Sequence, residues 1–148
     1  MSDPVYLGNP NLKRANVTQE WTKEQIEEYA KCMKDPIYFI RTYIRIVSLD
    51  EGLVPFDMYD FQKEMVGTFH SNRFTICKLP RQSGKSTTII AYLLHYVLFN
   101  PTVNVAILAN KAATARDLLG RLQLAYEHLP KWLQQGVMSW NKGSLELE

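Results

Sequence analysis

Gly84, Lys85 and Ser86 are the residues of this sequence whose types and spacing most clearly indicate chemistry. They stand between a short apolar run, Phe74 to Cys77, and an apolar segment of helical length, which predicts the order strand, loop and helix. In a loop of this layout, backbone N–H groups and the positive end of the helix converge on phosphate oxygens. The sequence therefore predicts a nucleotide phosphate site.

Each residue of the predicted loop has a chemical role. Gly84 lacks a Cβ and lets the backbone approach a phosphate, Lys85 reaches the β- and γ-phosphates, and the Ser86 hydroxyl ligates Mg²⁺. Thr87 and Thr88 cap the start of the helix. An alternative remains open, in which this is a basic strand-to-helix turn with a conformationally required glycine and a solvated lysine.

The start of the loop departs from the common form of the motif. A glycine is usual five residues before the Gly-Lys pair, and Leu79 occupies that position here, followed by Pro80, Arg81, Gln82 and Ser83. The match is therefore to a deviant form of the loop. The evidence for a phosphate loop therefore comes from the predicted flanking strand and helix rather than from the Gly-Lys-Ser tripeptide alone.

Tyr59 and Gln62 are the candidate residues for recognising an adenine base. Three residues apart at a helix start, they place a ring and an amide on one side. A flat ring can stack on adenine, and a Gln amide can donate to N7 and accept from the exocyclic amine. The alternative is that Tyr59 is a core residue and Gln62 a surface residue.

The remaining apolar pattern predicts the fold class. Val103 to Ala109 resembles a buried parallel strand, and an amphipathic helix follows from Ala115 to Leu129. The order strand, helix, strand predicts an α/β protein, with a parallel sheet flanked by helices. Ser144 to Glu148 alternates like a final strand.

The N-terminal third is predicted to precede this nucleotide-binding core. Residues 1–20 are polar and interrupted by proline and glycine, which indicates an arm. The capping box from Thr22 to Gln25 starts one helix, which runs to about Lys34. Asp35 followed by Pro36 starts another, whose apolar face continues to Val47.

Composition excludes several classes of protein. The 148 residues are 46% apolar, which fits one globular domain. The net charge of +2 is too slight to decide for or against nucleic-acid binding, because a surface that follows phosphates would be a local patch. Cys32 and Cys77 lack metal-site spacing, which indicates reduced thiols of an intracellular protein. The longest apolar stretch, Ile89 to Phe99, is shorter than the ~20 residues of a membrane span, so no membrane association is expected.

In these motifs the chain resembles the N-terminal ATPase region of the large terminase subunit of tailed bacteriophages. The resemblance extends from Trp21 onward, and the segments that carry it are Leu53 to Phe56, Tyr59 to Gln62, Arg81 to Ser86, Ala106 to Lys111, and Leu129 to Ser144. It implies a P-loop NTPase-type parallel sheet whose later strands are missing. The implied organisation is an N-terminal arm (1–20), a helical subregion (21–51) and a partial P-loop ATPase core (52–148).

The resemblance also implies a function and its partners. The family drives double-stranded DNA into a capsid with ATP and Mg²⁺, which implies as partners the portal protein, the small terminase subunit and the rest of the large subunit. The implied location is the host cell cytoplasm. Arg81 matches the arginine that the family places in the loop at the γ-phosphate, so Arg81 and Lys85 are the candidate catalytic residues. The nucleotide-binding set is Tyr59, Gln62, Arg81, Gln82, Ser83, Gly84, Lys85, Ser86 and Thr87, with Ser86 as the metal ligand.

Residues needed for hydrolysis are expected to lie outside this chain. Phosphoryl transfer to water needs an acid for Mg²⁺ and another to orient the water, after a later strand. Asp50-Glu51 precedes the loop, and the glutamates near the C-terminus alternate towards solvent. The chain is therefore expected to be a fragment or one half of a split terminase, without the nuclease domain. A helicase-like translocase and a non-catalytic interaction module with a vestigial loop remain alternatives.

Overall fold

The parallel sheet expected from the sequence is absent from the described part of the chain. The computed structural model describes residues 4–48 and 50–148, so the first three residues of the predicted arm and Leu49, next to Asp50-Glu51, lie outside it. The described residues form five α-helices and six short strands, paired in three separate two-stranded antiparallel sheets. The prediction of an α/β fold with a P-loop NTPase-type parallel sheet is therefore wrong.

The segments predicted as parallel strands explain this difference. Phe74 to Cys77 and Val103 to Ala109 have no strand structure, and neither belongs to any of the three sheets. Most of their side chains are also not covered: Phe74 and Leu108 are exposed, and Ile76 is 99% exposed, although Ile107 packs against the core. An apolar run becomes a strand only when another strand satisfies its backbone groups, and no described segment of this chain does so here.

The two predicted N-terminal helices are confirmed, with their caps. Helix α1 spans Lys23–Lys34, and the Thr22 hydroxyl accepts from the Gln25 N–H while the Gln25 side chain accepts from the Thr22 N–H. Helix α2 spans Pro36–Tyr43 after Asp35, whose carboxylate accepts from the Tyr38 N–H. These reciprocal bonds satisfy N–H groups that a helix start otherwise leaves without partners.

Helix α2 is shorter than its apolar face predicts. It ends at Tyr43, and Arg45–Ser48 forms an antiparallel hairpin with Gly52–Pro55. Gly52 has φ +74°, a left-handed conformation that suits glycine at the end of the hairpin turn. The segment containing Asp50 is thus a surface turn, in which the Asp50 N–H donates to the Ser48 hydroxyl.

Three further helices form the centre of the protein. Helix α3 spans Asp60–Ser71, α4 spans Lys85–Phe99 and α5 spans Ala112–Glu127, so the helices predicted around the loop are confirmed. Helix α4 is the most apolar of them and contacts α2, α3 and α5. Its buried residues contribute to the core cluster, so α4 is held on several sides without a sheet beneath it.

The N-terminal and C-terminal hairpins pack together. Strands Val5–Tyr6 and Asn9–Lys13 form one hairpin, and Val137–Trp140 and Leu145–Leu147 form the other, which confirms the final strand. The Ala15 N–H, just after the first hairpin, donates to the Val137 carbonyl of the second. Gln134, just before the second hairpin, binds the first: its amide oxygen accepts from the Lys13 N–H, and its amide nitrogen donates to the Asn11 carbonyl. The described part of the predicted arm is therefore packed against the end of the chain.

Both cysteines of the chain are free thiols in different surroundings. Cys32 is a buried free thiol in α1, and Cys77 is an exposed free thiol before the loop. No helix among residues 4–48 and 50–148 is long and apolar enough to cross a membrane.

His95 is a buried base in the middle of α4. Its Nε2 lies 2.9 Å from the Cys32 carbonyl oxygen, which can only accept, so Nε2 carries the proton. Its Nδ1 is buried without a hydrogen-bond partner. Burial lowers the pKa of His95 below its ordinary value of 6.5, which keeps the ring neutral in the folded protein.

The folded protein should lose stability as the pH falls below about 6.5, because the unfolded chain then binds a proton that folded His95 does not. The slope should approach about 1.4 kcal/mol per pH unit for this one group. Urea unfolding at several pH values between 7.5 and 5.5 measures it. His95→Gln should flatten the slope. Equal slopes in wild type and His95→Gln would contradict this assignment.

Candidate nucleotide-binding site

The predicted phosphate loop forms a tight turn at the start of α4. Gln82 has φ +61° and Gly84 has φ +73°, so the backbone turns sharply between Pro80 and the helix. The Pro80 carbonyl accepts from the Ser83 hydroxyl at 3.0 Å and from the Lys85 ammonium at 3.1 Å. The side chain of Lys85 is therefore folded back over its own loop.

Free backbone donors stand at the start of α4. No side-chain hydrogen bond caps this helix, and its first internal bond runs from the Thr88 N–H to the Gly84 carbonyl. The N–H groups of Lys85, Ser86 and Thr87 consequently have no partner within the helix. Together with the helix dipole, they form a positive site of the kind that binds phosphate.

Gly84 is required here for two independent reasons. Its positive φ is a conformation that side chains rarely adopt. A Cβ at this position would also lie 2.5 Å from Nε2 of Gln62, which is closer than any real contact. From the sequence, Gly84 was predicted to let the backbone approach a phosphate. In the structure, its positive φ and its contact with Gln62 also favour glycine at this position.

Gln62 connects helix α3 to the loop. It is only 3% exposed; its Oε1 accepts from the Tyr59 N–H at 2.9 Å, and its Nε2 donates to the Ser83 carbonyl at 3.4 Å. Both polar atoms of the amide therefore have backbone partners. In this arrangement Gln62 binds the loop. From the sequence, its amide was instead predicted to bind N7 and the exocyclic amine of adenine.

A cavity of about 530 Å³ lies between the start of α3 and the loop. One wall contains two aromatic rings, Tyr59 and Phe61, which stack with centroids 6.0 Å apart and planes 11° apart. The Tyr59 side chain is 71% exposed, so its ring is available to a ligand. The opposite wall belongs to the loop and α4, and includes Gln82, Ser83, Gly84 and Thr87.

The structure brings most of the predicted site residues to this cavity. Ser86 lies half-buried in the first turn of α4, beside Lys85. Arg81 is exposed, does not line the cavity, and forms no hydrogen bond or ion pair with any described residue. Its guanidinium is thus free to move towards a bound phosphate, but the structure does not direct it there.

Two cavity residues were missed by the sequence argument. Phe61, in the first turn of α3, stacks on Tyr59 and lines the cavity. Asp57, two residues before Tyr59, lines the same cavity. The alternation of Asp57 and Tyr59 with the apolar Phe56 and Met58 was a signal for Asp57, and no comparable pattern marked Phe61.

The donor set fits the phosphates of a nucleotide better than an isolated metal ion. Backbone N–H groups, Lys85 and the Ser86 hydroxyl all suit phosphate oxygens, and Ser86 also suits Mg²⁺ that phosphate already holds. No group of three or more His, Cys, Asp or Glu residues that could hold a metal occurs in the described ranges.

Gly84→Ala should destabilise the protein by about 1–3 kcal/mol, because alanine is strained at positive φ and its Cβ would displace Gln62. Gly120→Ala is the matched control: Gly120 lies within α5 with open space around it, and alanine there should stabilise the helix by up to about 1 kcal/mol. Chemical denaturation of both variants measures the difference. Unchanged stability of Gly84→Ala would show that the loop does not hold this conformation.

No model of a known protein family matches this chain. The function of the site must therefore be inferred from its own chemistry. That chemistry consists of a strained glycine turn, a lysine beside free backbone donors, and an aromatic cavity next to them.

Proposed function

We propose that the chain is the ATP-binding N-terminal part of a viral DNA-packaging motor, the large terminase subunit. The observation that carries the proposal is the loop at the start of α4, where Gly84, Lys85 and free N–H groups adjoin a cavity walled by Tyr59 and Phe61. A phosphate site beside an aromatic cavity matches the two ends of a nucleotide. The resemblance of its motifs to those of terminases supports the role in a DNA-packaging motor and the location in the host cell cytoplasm.

Lys85 would bind the phosphates by exchanging one acceptor for another. In the structure its ammonium is held by the neutral Pro80 carbonyl at 3.1 Å. A phosphate oxygen carries a full charge and is a stronger acceptor, so the exchange favours binding. The same lysine keeps its position at the mouth of the loop in both states, which limits the side-chain entropy lost on binding.

The residues around Lys85 would complete the phosphate site. The N–H groups of Ser86 and Thr87 face the position beyond the helix start, where an anion is favoured. The Ser86 hydroxyl would face Mg²⁺. When the ion is bound, it neutralises part of the charge of the phosphates. Arg81, which is free of other contacts, would approach the γ-phosphate from the exposed side of the loop.

The base would stack in the cavity, against Tyr59. Tyr59 and Phe61 form a preformed aromatic wall, so little order has to be created when a base adds to it. Gln62 contributes indirectly, because its amide fixes the distance between this wall and the loop. Selection of adenine would then depend on the shape of the cavity more than on the Gln62 amide.

Hydrolysis and DNA movement would require other polypeptide segments. Asp50 and Glu146 lie in a surface turn and on a C-terminal strand, and neither lines the cavity. The proposed partners are double-stranded DNA, the capsid portal, the small terminase subunit and the rest of the large subunit. The catalytic acids would come with that last partner.

A non-catalytic interaction module is a second candidate, and one observation favours it. Phe74, Ile76 and Leu108 are large apolar side chains on irregular segments, and all three are exposed. Where such side chains form one contiguous patch, the patch is typical of a surface that another protein covers. In that case the loop would be vestigial, and ATP would not bind.

Lys85→Ala should lower the affinity for Mg-ATP by about 100-fold or more, since charge-assisted bonds to phosphate are lost. Calorimetric titration of the wild type and the variant measures this effect. Lys111→Ala is the control, because Lys111 is an exposed lysine at the start of the other helix, α5. Equal affinity in wild type and Lys85→Ala would overturn the site. A phosphate-release assay on the same samples should show little turnover, and rapid turnover would show that the chain holds its own catalytic acids.

A further inference from the structure

The residues that lead into α3 alternate between the core and the cavity. Phe56 and Met58 are each 4% exposed, whereas Asp57 is exposed and Tyr59 is 71% exposed. Burial with a period of two is the pattern of extended chain, in which every second side chain points the same way. Asp57 and Tyr59 therefore stand on the same side, about 6.6 Å apart along the chain, and both line the cavity.

Among residues 4–48 and 50–148, Asp57 is the only charged residue that lines this cavity. Within the described residues, its carboxylate forms neither a hydrogen bond nor an ion pair. A free carboxylate beside a phosphate site repels the ligand and lowers its affinity. That repulsion is offset only if the ligand presents a hydrogen-bond donor to the carboxylate, because an ionised carboxylate accepts and cannot donate.

A nucleotide presents such donors on its sugar. With the phosphates on the loop and the base on Tyr59, the ribose lies between them, on the side of the chain that carries Asp57. Its 2′ and 3′ hydroxyls are neighbouring donors, and the two oxygens of one carboxylate can accept from both, as acidic residues do in dinucleotide sites. The Gln62 amide is only 3% exposed and each of its polar atoms already bonds to backbone, so it is less accessible to the sugar than the exposed Asp57 carboxylate.

We propose that Asp57 is the residue that selects ribonucleotides over deoxyribonucleotides, by accepting from the ribose hydroxyls. This inference rests on the proposed function, because it requires that the cavity holds a nucleotide. It assigns Asp57 two opposing effects, attraction of the sugar hydroxyls and repulsion of the phosphates. Removal of the carboxylate should therefore cost ATP, which has the additional 2′ hydroxyl, more affinity than it costs 2′-deoxyATP.

The test is a calorimetric titration of the full chain with Mg-ATP and with Mg-2′-deoxyATP. Wild type should bind ATP about tenfold more tightly, the effect expected from one hydrogen bond to a charged group. Asp57→Ala should lose more affinity for ATP than for 2′-deoxyATP, so that the ratio of the two affinities approaches one. Asp60→Asn is the matched control: it removes a nearby exposed carboxylate that does not line the cavity, and should leave the ratio unchanged.

The outcomes separate this inference from the proposed function. If wild type binds ATP and 2′-deoxyATP equally, and Lys85→Ala abolishes both, the role of Asp57 is wrong and the nucleotide site stands. If wild type binds no nucleotide, both are wrong. A further outcome is that Asp57→Ala changes the ratio of the affinities for ATP and GTP but leaves the ratio of the affinities for ATP and 2′-deoxyATP as in wild type. The carboxylate would then contact the base, which also overturns the assignment to the sugar.

Discussion

One buried amide connects the predicted phosphate loop to helix α3. Gln62 accepts from the backbone where α3 begins and donates to the backbone just before α4 begins, so it links the starts of two helices. The link is close enough that a Cβ at position 84 would displace the Gln62 side chain. The aromatic wall and the phosphate donors thus keep a fixed separation, which is what a ligand with a base at one end and phosphates at the other requires.

Helix α4 transmits this arrangement to the rest of the protein. It begins at the loop, continues through the buried base His95, and contacts three other helices. The loop is therefore anchored on its C-terminal side by the whole helical core. On its N-terminal side it follows an irregular, exposed segment, so the two ends of the loop differ sharply in how firmly they are held.

The parts of the structure that depend on local sequence could be predicted, and the parts that depend on distant contacts could not. The caps at Thr22 and Asp35 and the helix after Gly84 follow from residues within one turn, and all of them form. The parallel sheet failed because an apolar run such as Val103 to Ala109 has the same pattern whether or not a strand pairs with it. The bond from Gln62 to Ser83 crosses 21 residues, and no local pattern indicates it.

The two cysteines differ in their chemical reactivity, and the difference makes the loop experimentally accessible. Burial raises the pKa of the Cys32 thiol to about 12, so almost none of it is the reactive thiolate at neutral pH. Cys77 is exposed and stands just before Pro80, at the entrance to the loop. A maleimide dye added to the unmodified protein would therefore label Cys77 selectively, and its fluorescence would report on movement of the loop without any engineered residue.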